Sequence, residues 1–196
     1  MNLPNKITVT RIFLSILLLI FLIIPWDSFN VIFPEYAVGN NIISLKYIIA
    51  GFIFFVAAFS DFLDGHIARK YNMVTDFGKV MDAIADKLLV NGVLIVLAYD
   101  RFIPAIIPVV IISRDIIVDS CKMICGNNGH VVAASVLGKL KTICMTVGIT
   151  LLLFYNLPFE LINIPIAKLL IFIATVLSVI SGCQYYNKSK KFFQDK

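Results

Sequence analysis

The sequence predicts an all-α integral membrane protein, a bundle of six transmembrane helices with a short interfacial helix before the first. Of the 196 residues, 60% are hydrophobic and 15% are charged, and the mean hydropathy is +0.93. Soluble domains are about 45–50% apolar and about 25% charged. The apolar residues form runs of the ~20 residues that a helix needs to cross a bilayer, whereas the alternating ten-residue strands of a membrane β-barrel are absent.

Pro, Gly, Asn and charged residues divide the apolar runs into six predicted helices. They cover residues 8–25, 44–71, 79–99, 102–124, 135–156 and 163–187. Residues 1–7 are expected to lie along the membrane interface, and they lack the apolar region and small-residue cleavage site of a signal peptide. The aromatic stretch 25–41 is expected to lie on the membrane surface. Because the helices use nearly the whole chain, residues 1–196 are expected to form a single domain.

The distribution of basic residues predicts the orientation of the helices. With the N-terminus in the cytosol, only Lys46, Arg101 and Lys168 of the 17 Lys and Arg residues fall on the outer side, which leaves 14 on the inner side. Positive charge is enriched in cytosolic loops, so we expect a multi-pass protein of the cytoplasmic membrane in this orientation. The same placement accounts for much of the net charge of +5 without a nucleic-acid partner.

Four aspartates interrupt the second and third predicted helices. Asp61 and Asp64 are three residues apart and Asp82 and Asp86 are four apart, so each pair occupies one face of its helix. If the two helices form an antiparallel hairpin, Asp61 faces Asp86 and Asp64 lies beside Asp82. Four like charges in a partly desolvated patch repel one another unless a counter-charge is present, and acids inside a membrane usually have a function.

A divalent cation is the simplest counter-charge for this patch, and two ions are favoured over one. The candidate ligands are Asp61, Asp64, Asp82 and Asp86. Carboxylate oxygens favour Mg²⁺ or Mn²⁺ over zinc, and the two histidines, His66 and His130, are isolated from each other. Carboxylates in membranes also relay protons and bind coupling ions, so a cation or proton transporter is an alternative. Against it, the aspartates lie towards the helix ends and no helix pair broken by Gly or Pro is present.

The stretch from Ser60 to Val90 resembles the signature of the CDP-alcohol phosphatidyltransferases, D-x2-D-G-x2-A-R-x8-G-x3-D-x3-D. Every fixed position of the signature is matched at its spacing, by Asp61, Asp64, Gly65, Ala68, Arg69, Gly78, Asp82 and Asp86. The stretches "NLPNKITVTR", "ISRDIIV" and "LGKLKT" resemble the branch of the family that makes phosphatidylglycerophosphate. Ala83 departs from this branch, which often carries Pro there, and the departure leaves the candidate ligands unaffected.

The resemblance implies an enzyme that transfers the phosphatidyl group of CDP-diacylglycerol to an alcohol, with release of CMP and with a divalent metal. In the branch that the sequence resembles, the alcohol is sn-glycerol 3-phosphate. The metal ligands would be Asp61, Asp64 and Asp82, and Asp86 would act as general base with a second role as ligand. The residues implied to bind CDP-diacylglycerol are Gly65, Ala68, Arg69 and Gly78. A homodimer is implied as well. A sibling transferase that uses inositol phosphate, serine or another alcohol is the alternative.

The phosphate of the acceptor requires a second basic pocket. The candidates for glycerol-phosphate binding are Arg114, Lys139, Lys141, Thr8 and Arg11. Arg114 lies about 18 Å into the fourth predicted helix, a costly depth for a cation without a partner. Asp115 follows it in sequence and is expected to point to a different helix face. Lys139 and Lys141 begin the fifth helix on the same side, where long basic side chains also snorkel to the interface without any ligand.

Overall fold

The computed structural model describes residues 3–38, 41–71, 75–127 and 135–190, which form a helical bundle with one small sheet. In chain order the elements are α1 (Leu3–Ile23), a 3-10 helix (Trp26–Phe29), β1 (Glu35–Val38), β2 (Asn41–Ser44), α2 (Leu45–Lys70), α3 (Asp76–Tyr99), α4 (Ile106–Asn127), α5 (Val136–Leu153), a second 3-10 helix (Phe159–Ile162) and α6 (Ile166–Lys190). The predicted helical membrane bundle is confirmed.

Four segments of the described part of the chain are long and apolar enough to cross a membrane. They are Pro4–Ile23, Leu45–Gly65, Val136–Leu153 and Ile166–Lys190. The helices α3 and α4 are as long as these but carry more charged residues, among them Asp82, Asp86 and Arg114. The chain is therefore a multi-pass membrane protein, and the crossing of the bilayer by all six helices stays a prediction.

The N-terminal residues are part of the first long helix. The helix α1 runs without interruption from Leu3 to Ile23, so residues 3–7 do not form the separate interfacial helix that the sequence predicts. Pro4 does not break the helix because it lies in the first turn, where its missing N–H would have no helical partner. This continuity places Thr8 and Arg11 in a rigid element.

Proline and left-handed residues set the ends of the later helices. Helix α4 begins at Ile106 rather than 102, because Pro104 disfavours the helical conformation at the residue before it. Helix α5 ends at Leu153 rather than 156, since Tyr155 and Asn156 have φ angles of 56° and 60°. Helix α6 begins at Ile166, directly after a proline, rather than at 163.

The aromatic stretch after α1 contains a short β-hairpin that the sequence does not predict. Strands β1 and β2 pair antiparallel, with Glu35 opposite Ser44. The backbone N–H of Ser44 donates to the Tyr155 hydroxyl at 3.0 Å, which ties the hairpin to the end of α5. Four-residue strands carry too few alternations to give a recognisable pattern of period two.

Helix α1 packs closely against both α2 and α3, and α6 packs against α4 and α5. The core between them is apolar and includes the fully buried residues Leu18, Phe54, Leu97 and Ile149. Many large apolar side chains on the outer faces are exposed, as expected of surfaces that contact lipid. The bundle thus brings the early turns of α1 and α3 to the same end as the late turns of α2.

Candidate active site

Three carboxylates from two helices surround a cation of a third helix. Asp61 and Asp64 lie on α2, and Asp82 lies on α3. Arg11 Nη1 forms a salt bridge with Asp61 Oδ1 and lies 3.6 Å from Asp64 Oδ2. Arg11 Nη2 lies 3.2 Å from Asp82 Oδ1. The structure therefore brings three of the four candidate aspartates together, and we call these residues with Arg11 the aspartate cluster.

Thr8 contacts the same cluster from the preceding turn of α1. Its hydroxyl oxygen lies 2.7 Å from Asp82 Oδ1, 3.3 Å from Asp64 Oδ2 and 3.1 Å from the Pro4 carbonyl. Residues three apart on a helix share a face, so Thr8 and Arg11 approach the carboxylates from the same side. One face of α1 thus supplies both a cation and a hydroxyl donor to the aspartates.

Helix α1 lies between the two helices that carry the aspartates. It packs extensively against both, whereas α2 and α3 make few contacts with each other. This packing corrects the predicted hairpin, in which α2 and α3 face each other directly. The physical reason is that facing carboxylates repel, and α1 provides the guanidinium and the hydroxyl that stabilise them.

The aspartate cluster holds charged side chains at buried and half-buried positions, where charge is costly. The side chains of Arg11 and Asp64 are 1% and 2% exposed, whereas Asp61 and Asp82 are 49% and 44% exposed. Arg11 Nε and Asp64 Oδ1 are buried and have no hydrogen-bond partner among the described residues. Three carboxylates outnumber one guanidinium, so the cluster has an unbalanced negative charge and an unpartnered oxygen.

Asp86 lies one turn after Asp82 on α3 and is partly buried. The charges of Asp61 and Arg11 act on it. Those of Lys141 and Asp115, on α5 and α4, act on it as well. Asp86 is therefore coupled electrostatically to the aspartate cluster and to a second group of charged residues.

The remaining signature residues lie at the end of α2 and the start of α3. Gly65 is in the last part of α2, and the side chains of Ala68 and Arg69 lie outside the described residues. Gly78 is buried, and a β-carbon there would lie 2.7 Å from Asn5 Oδ1. The N-terminal segment thus packs against Gly78, a contact that the sequence does not predict.

The second charged group joins α4, α5 and α6. Asp115 Oδ1 accepts hydrogen bonds from Arg114 Nη1 at 2.9 Å and from Lys141 Nζ at 2.8 Å. Arg114 also donates through Nε to the Ser178 carbonyl at 3.1 Å and through Nη2 to Ser181 Oγ at 2.8 Å. We call Arg114 and Lys141 the cation pair, and Asp115 is the carboxylate between them. Asp115 is expected on a different helix face from Arg114, and the long arginine side chain nevertheless reaches its carboxylate.

The five residues predicted to bind the acceptor phosphate do not form one cluster. Arg114 and Lys141 lie together, but Thr8 and Arg11 contact the aspartates instead. Lys139 is exposed, and the structure does not bring it to either group. Charge and helix position predict that these side chains face one end of the bundle, but they do not specify which partners each side chain contacts.

The aspartate cluster has the donor atoms of a divalent-cation site but holds a guanidinium among them. Within the described residues, no group of three or more His, Cys, Asp and Glu side chains has the geometry to hold a metal ion, and the guanidinium of Arg11 lies among the carboxylates. The donor type nevertheless fits, because carboxylates are the ligands that Mg²⁺ and Mn²⁺ prefer. The buried, unpartnered Asp64 Oδ1 fits as well.

Four residues that contact Gly78 or Arg114 were not predicted from the sequence. They are Asn5, Ser178, Ser181 and Gly182. A β-carbon at Gly182 would lie 2.9 Å from Arg114 Cγ, so this position must be small for Arg114 to pack there. The sequence offers one signal for the residues of α6. The stretch "SVISG" places two serines and a glycine inside an apolar helix, and such small residues often mark helix contacts in membranes.

The fold and the signature residues define a membrane enzyme of one family. Residues 1–180 match the sequence profile of the CDP-alcohol phosphatidyltransferases, and the chain belongs to that family. Members of the family generally depend on a divalent metal.

Three relatives that carry the same enzyme name are similar to this chain over most of its length. The CDP-diacylglycerol–glycerol-3-phosphate 3-phosphatidyltransferase of Bacillus subtilis (strain 168) is 40% identical over 188 residues, which is 96% of this chain and 95% of that protein. The enzyme of the same name from Mycoplasma genitalium is 41% identical over 76% of this chain and 63% of its own length. The one from Rickettsia felis is 33% identical over 98% of this chain and 97% of its own.

Proposed function

We propose that this chain transfers the phosphatidyl group of CDP-diacylglycerol to sn-glycerol 3-phosphate and forms phosphatidylglycerophosphate and CMP. The observation that carries the proposal is the convergence of Asp61, Asp64 and Asp82 at one point, because it gathers three of the four signature aspartates into a single site. Relatives named for this reaction match nearly the whole chain, which supports this acceptor over serine or inositol phosphate. Membership of a transferase family disfavours the transporter alternative.

The reaction is a substitution at the phosphorus that bears diacylglycerol. A hydroxyl oxygen of the acceptor forms a bond to this phosphorus, the bond from phosphorus to the bridging oxygen of the pyrophosphate breaks, and CMP leaves with the electron pair. Asp86 accepts the proton of the attacking hydroxyl as general base and later releases it to water. Its position one turn from Asp82, within range of Lys141, supports this role.

Asp61, Asp64 and Asp82 are the proposed ligands of Mg²⁺ or Mn²⁺, with Asp86 as a further ligand and two ions at the site. When bound, these ions neutralise the pyrophosphate and polarise the phosphorus under attack. The chain's own part is to hold the carboxylates in place. Thr8 orients Asp82 through its hydroxyl, and Arg11 keeps the carboxylates together before a cation arrives.

Two further pockets are proposed around this centre. Gly65, Ala68, Arg69 and Gly78 bind the cytidine diphosphate part of the lipid, with Arg69 on a phosphate. Arg114 and Lys141 bind the phosphate of the acceptor, because both cations lie within electrostatic range of the same carboxylates. Lys139 is exposed on α5, two residues before Lys141, and is proposed to add positive charge near the acceptor phosphate.

The topology and the assembly are also proposals. The basic residues near the aspartate cluster favour a site that faces the cytosol, in the cytoplasmic membrane, since positive charge is retained on that side. Residues 1–196 are proposed to form one domain, and two copies are proposed to form a homodimer.

The decisive experiment measures CMP release by detergent-purified protein with CDP-diacylglycerol and Mg²⁺. Glycerol 3-phosphate, inositol phosphate, inositol and serine are added in separate reactions. We expect release only with glycerol 3-phosphate and its loss on addition of a chelator. Release only with a different alcohol would refute the acceptor, and release with none of them would refute the transferase reaction itself.

A further inference from the structure

The carboxylate of Asp115 holds two cations from different helices on one oxygen atom. Arg114 Nη1 and Lys141 Nζ donate to the same Oδ1 at 2.9 and 2.8 Å. Hydrogen bonds of this length to a common acceptor keep the two nitrogen atoms within about 6 Å of each other. Two cations that close repel without a carboxylate between them, so Asp115 is the group that allows the pair to exist.

Arg114 is held from the other side by α6. Its Nε and Nη2 atoms donate to the Ser178 carbonyl and to Ser181 Oγ, and its stem packs against Gly182. These bonds, with that to Asp115, use one N–H on each guanidinium nitrogen. Nη1 and Nη2 each carry a second N–H that bonds to none of the described residues, so within that part of the chain the guanidinium keeps two donors for a ligand after its orientation is fixed.

The cation pair lies on helices that contact the helix of the proposed general base. Asp86 is on α3, which packs against α4 and contacts α5, and the charges of Asp115 and Lys141 act on it. The Lys141 side chain is only 9% exposed and that of Arg114 is 14% exposed, so neither is an ordinary snorkelling residue at the interface. A phosphate that contacts both cations would therefore lie beside the proposed general base.

We propose that Asp115 is a positioning residue that presents Arg114 and Lys141 together to the phosphate of the acceptor and thereby makes the enzyme selective for a phosphorylated alcohol. The inference rests on the proposed function. A phosphate group presents several terminal oxygens, and donors that are already fixed around it lose little freedom on binding. A plain alcohol such as glycerol does not use these donors and gains nothing from their arrangement.

The test compares the wild-type protein with Asp115→Asn and Asp115→Glu, and with Asp27→Asn as the matched control. Asp27 is an exposed aspartate of the first 3-10 helix, outside both charged groups. The KM is measured separately for glycerol 3-phosphate and for CDP-diacylglycerol, and glycerol is assayed as an unphosphorylated acceptor. Thermal unfolding of each variant is recorded to verify folding.

We expect Asp115→Asn to raise the KM for glycerol 3-phosphate about tenfold, the usual effect of losing a hydrogen bond to a charged group. The KM for CDP-diacylglycerol should stay within about twofold, and the preference for glycerol 3-phosphate over glycerol should fall. Asp115→Glu keeps the charge but displaces the pair, so its increase should be intermediate. Asp27→Asn should match the wild type.

Equal changes in both KM values, or an unchanged KM for glycerol 3-phosphate in a folded variant, would overturn the positioning role while the reaction itself stands. If Asp115→Asn does not fold, Asp115→Glu decides in the same way. A wild-type protein that does not use glycerol 3-phosphate would overturn the proposed function and this inference together, and the wild-type assay reveals that case before any variant is measured.

Discussion

Thr8 and Asp82 are 74 residues apart in sequence, and the Thr8 hydroxyl donates to Asp82 Oδ1 at 2.7 Å. The hydroxyl has a single proton, and this contact is shorter than those to Asp64 and the Pro4 carbonyl, so Asp82 receives it. Thr8 is buried and Asp82 is 44% exposed, so the bond is partly shielded from water. The first helix is therefore part of the site and orients a carboxylate that it does not itself carry.

Removing this hydroxyl tests the role of the first helix. Thr8→Val keeps the size and branching of the side chain but removes the closer of the two donors to Asp82 Oδ1, the other being Arg11 Nη2 at 3.2 Å. We expect a fall in kcat of about tenfold or more, since the loss of a buried hydrogen bond to a charged group costs roughly 1.5–3 kcal/mol. CMP release by purified protein measures it.

Thr10→Val is the control for Thr8→Val. Thr10 is exposed on the same helix, and its hydroxyl donates to the Lys6 carbonyl one turn before it. This substitution should leave kcat within about twofold of wild type. Equal falls in kcat for the two variants would mean that any such change in this helix lowers turnover and that the contact with Asp82 is unimportant for it.

Arg11→Gln tests the balance of charge in the aspartate cluster. The substitution leaves Asp61, Asp64 and Asp82 without their cation, so the carboxylates repel. Loss of one partner of a buried ion pair costs about 3–5 kcal/mol, but two of these aspartates are nearly half exposed, so we expect about 2 kcal/mol. Thermal unfolding in detergent should show a lower Tm that Mg²⁺ partly restores.

Lys6→Gln, an exposed cation on the same helix, is the control for Arg11→Gln and should leave the Tm unchanged. The dependence on Mg²⁺ distinguishes the two explanations of a lower Tm. A general packing defect at Arg11 would lower the Tm equally with and without the ion, and that result would contradict the proposed replacement of the guanidinium by a cation.

The sequence predicts the helical membrane bundle and the convergence of Asp61, Asp64 and Asp82, because the length of apolar runs and the spacing of charges are local properties. It does not predict that α1 lies between α2 and α3. In a membrane, surfaces that face lipid and surfaces that face other helices are similarly apolar, so hydropathy does not identify neighbouring helices. The mistaken hairpin of α2 and α3 follows directly from that ambiguity.

The same limit explains why several site residues have contacts in the structure that the sequence does not predict. Arg11 and Arg114 are both cations near one end of the bundle, and sequence position alone does not tell that Arg11 contacts three aspartates while Arg114 contacts Asp115. Adjacent residues such as Arg114 and Asp115 point in different directions from the helix axis. The long arginine side chain nevertheless reaches the neighbouring carboxylate, at 2.9 Å.

The contact between α5 and α6 depends on a residue without a side chain. A β-carbon at Gly148 would lie 2.8 Å from Ile171 Cγ1 and 3.2 Å from the Ile171 backbone nitrogen. Because backbone cannot move aside as a flexible side chain can, Gly148→Ala should destabilise the protein by about 1–3 kcal/mol. Gly126→Ala is the matched control, since no atom of the described residues lies within 4 Å of its β-carbon. Thermal unfolding measures the Tm of each variant. Equal decreases in Tm for Gly148→Ala and Gly126→Ala would contradict the proposed close contact.

Asp82→Asn tests whether the aspartate cluster binds a divalent cation for catalysis. The amide keeps the size of the side chain and its ability to accept from Thr8, but it removes one negative charge from the proposed ligand set. We expect CMP release to fall by about a hundredfold or more at ordinary Mg²⁺, because even residues that only support a metal ligand cost about 10–100-fold in affinity or activity when they are changed. The protein should stay folded, because the substitution also relieves repulsion among the carboxylates.

Comparison of Asp86→Asn with Asp82→Asn distinguishes a general base from a metal ligand. If Asp86 acts mainly as general base, its asparagine variant should be inactive at every Mg²⁺ concentration, because an amide does not accept the proton. The Asp82→Asn variant should instead recover part of its activity as Mg²⁺ is raised, since a weakened site still fills at high concentration. Titration of CMP release against Mg²⁺ for both variants measures this difference, with Asp27→Asn as control. Near-normal turnover in either variant would refute its assigned role.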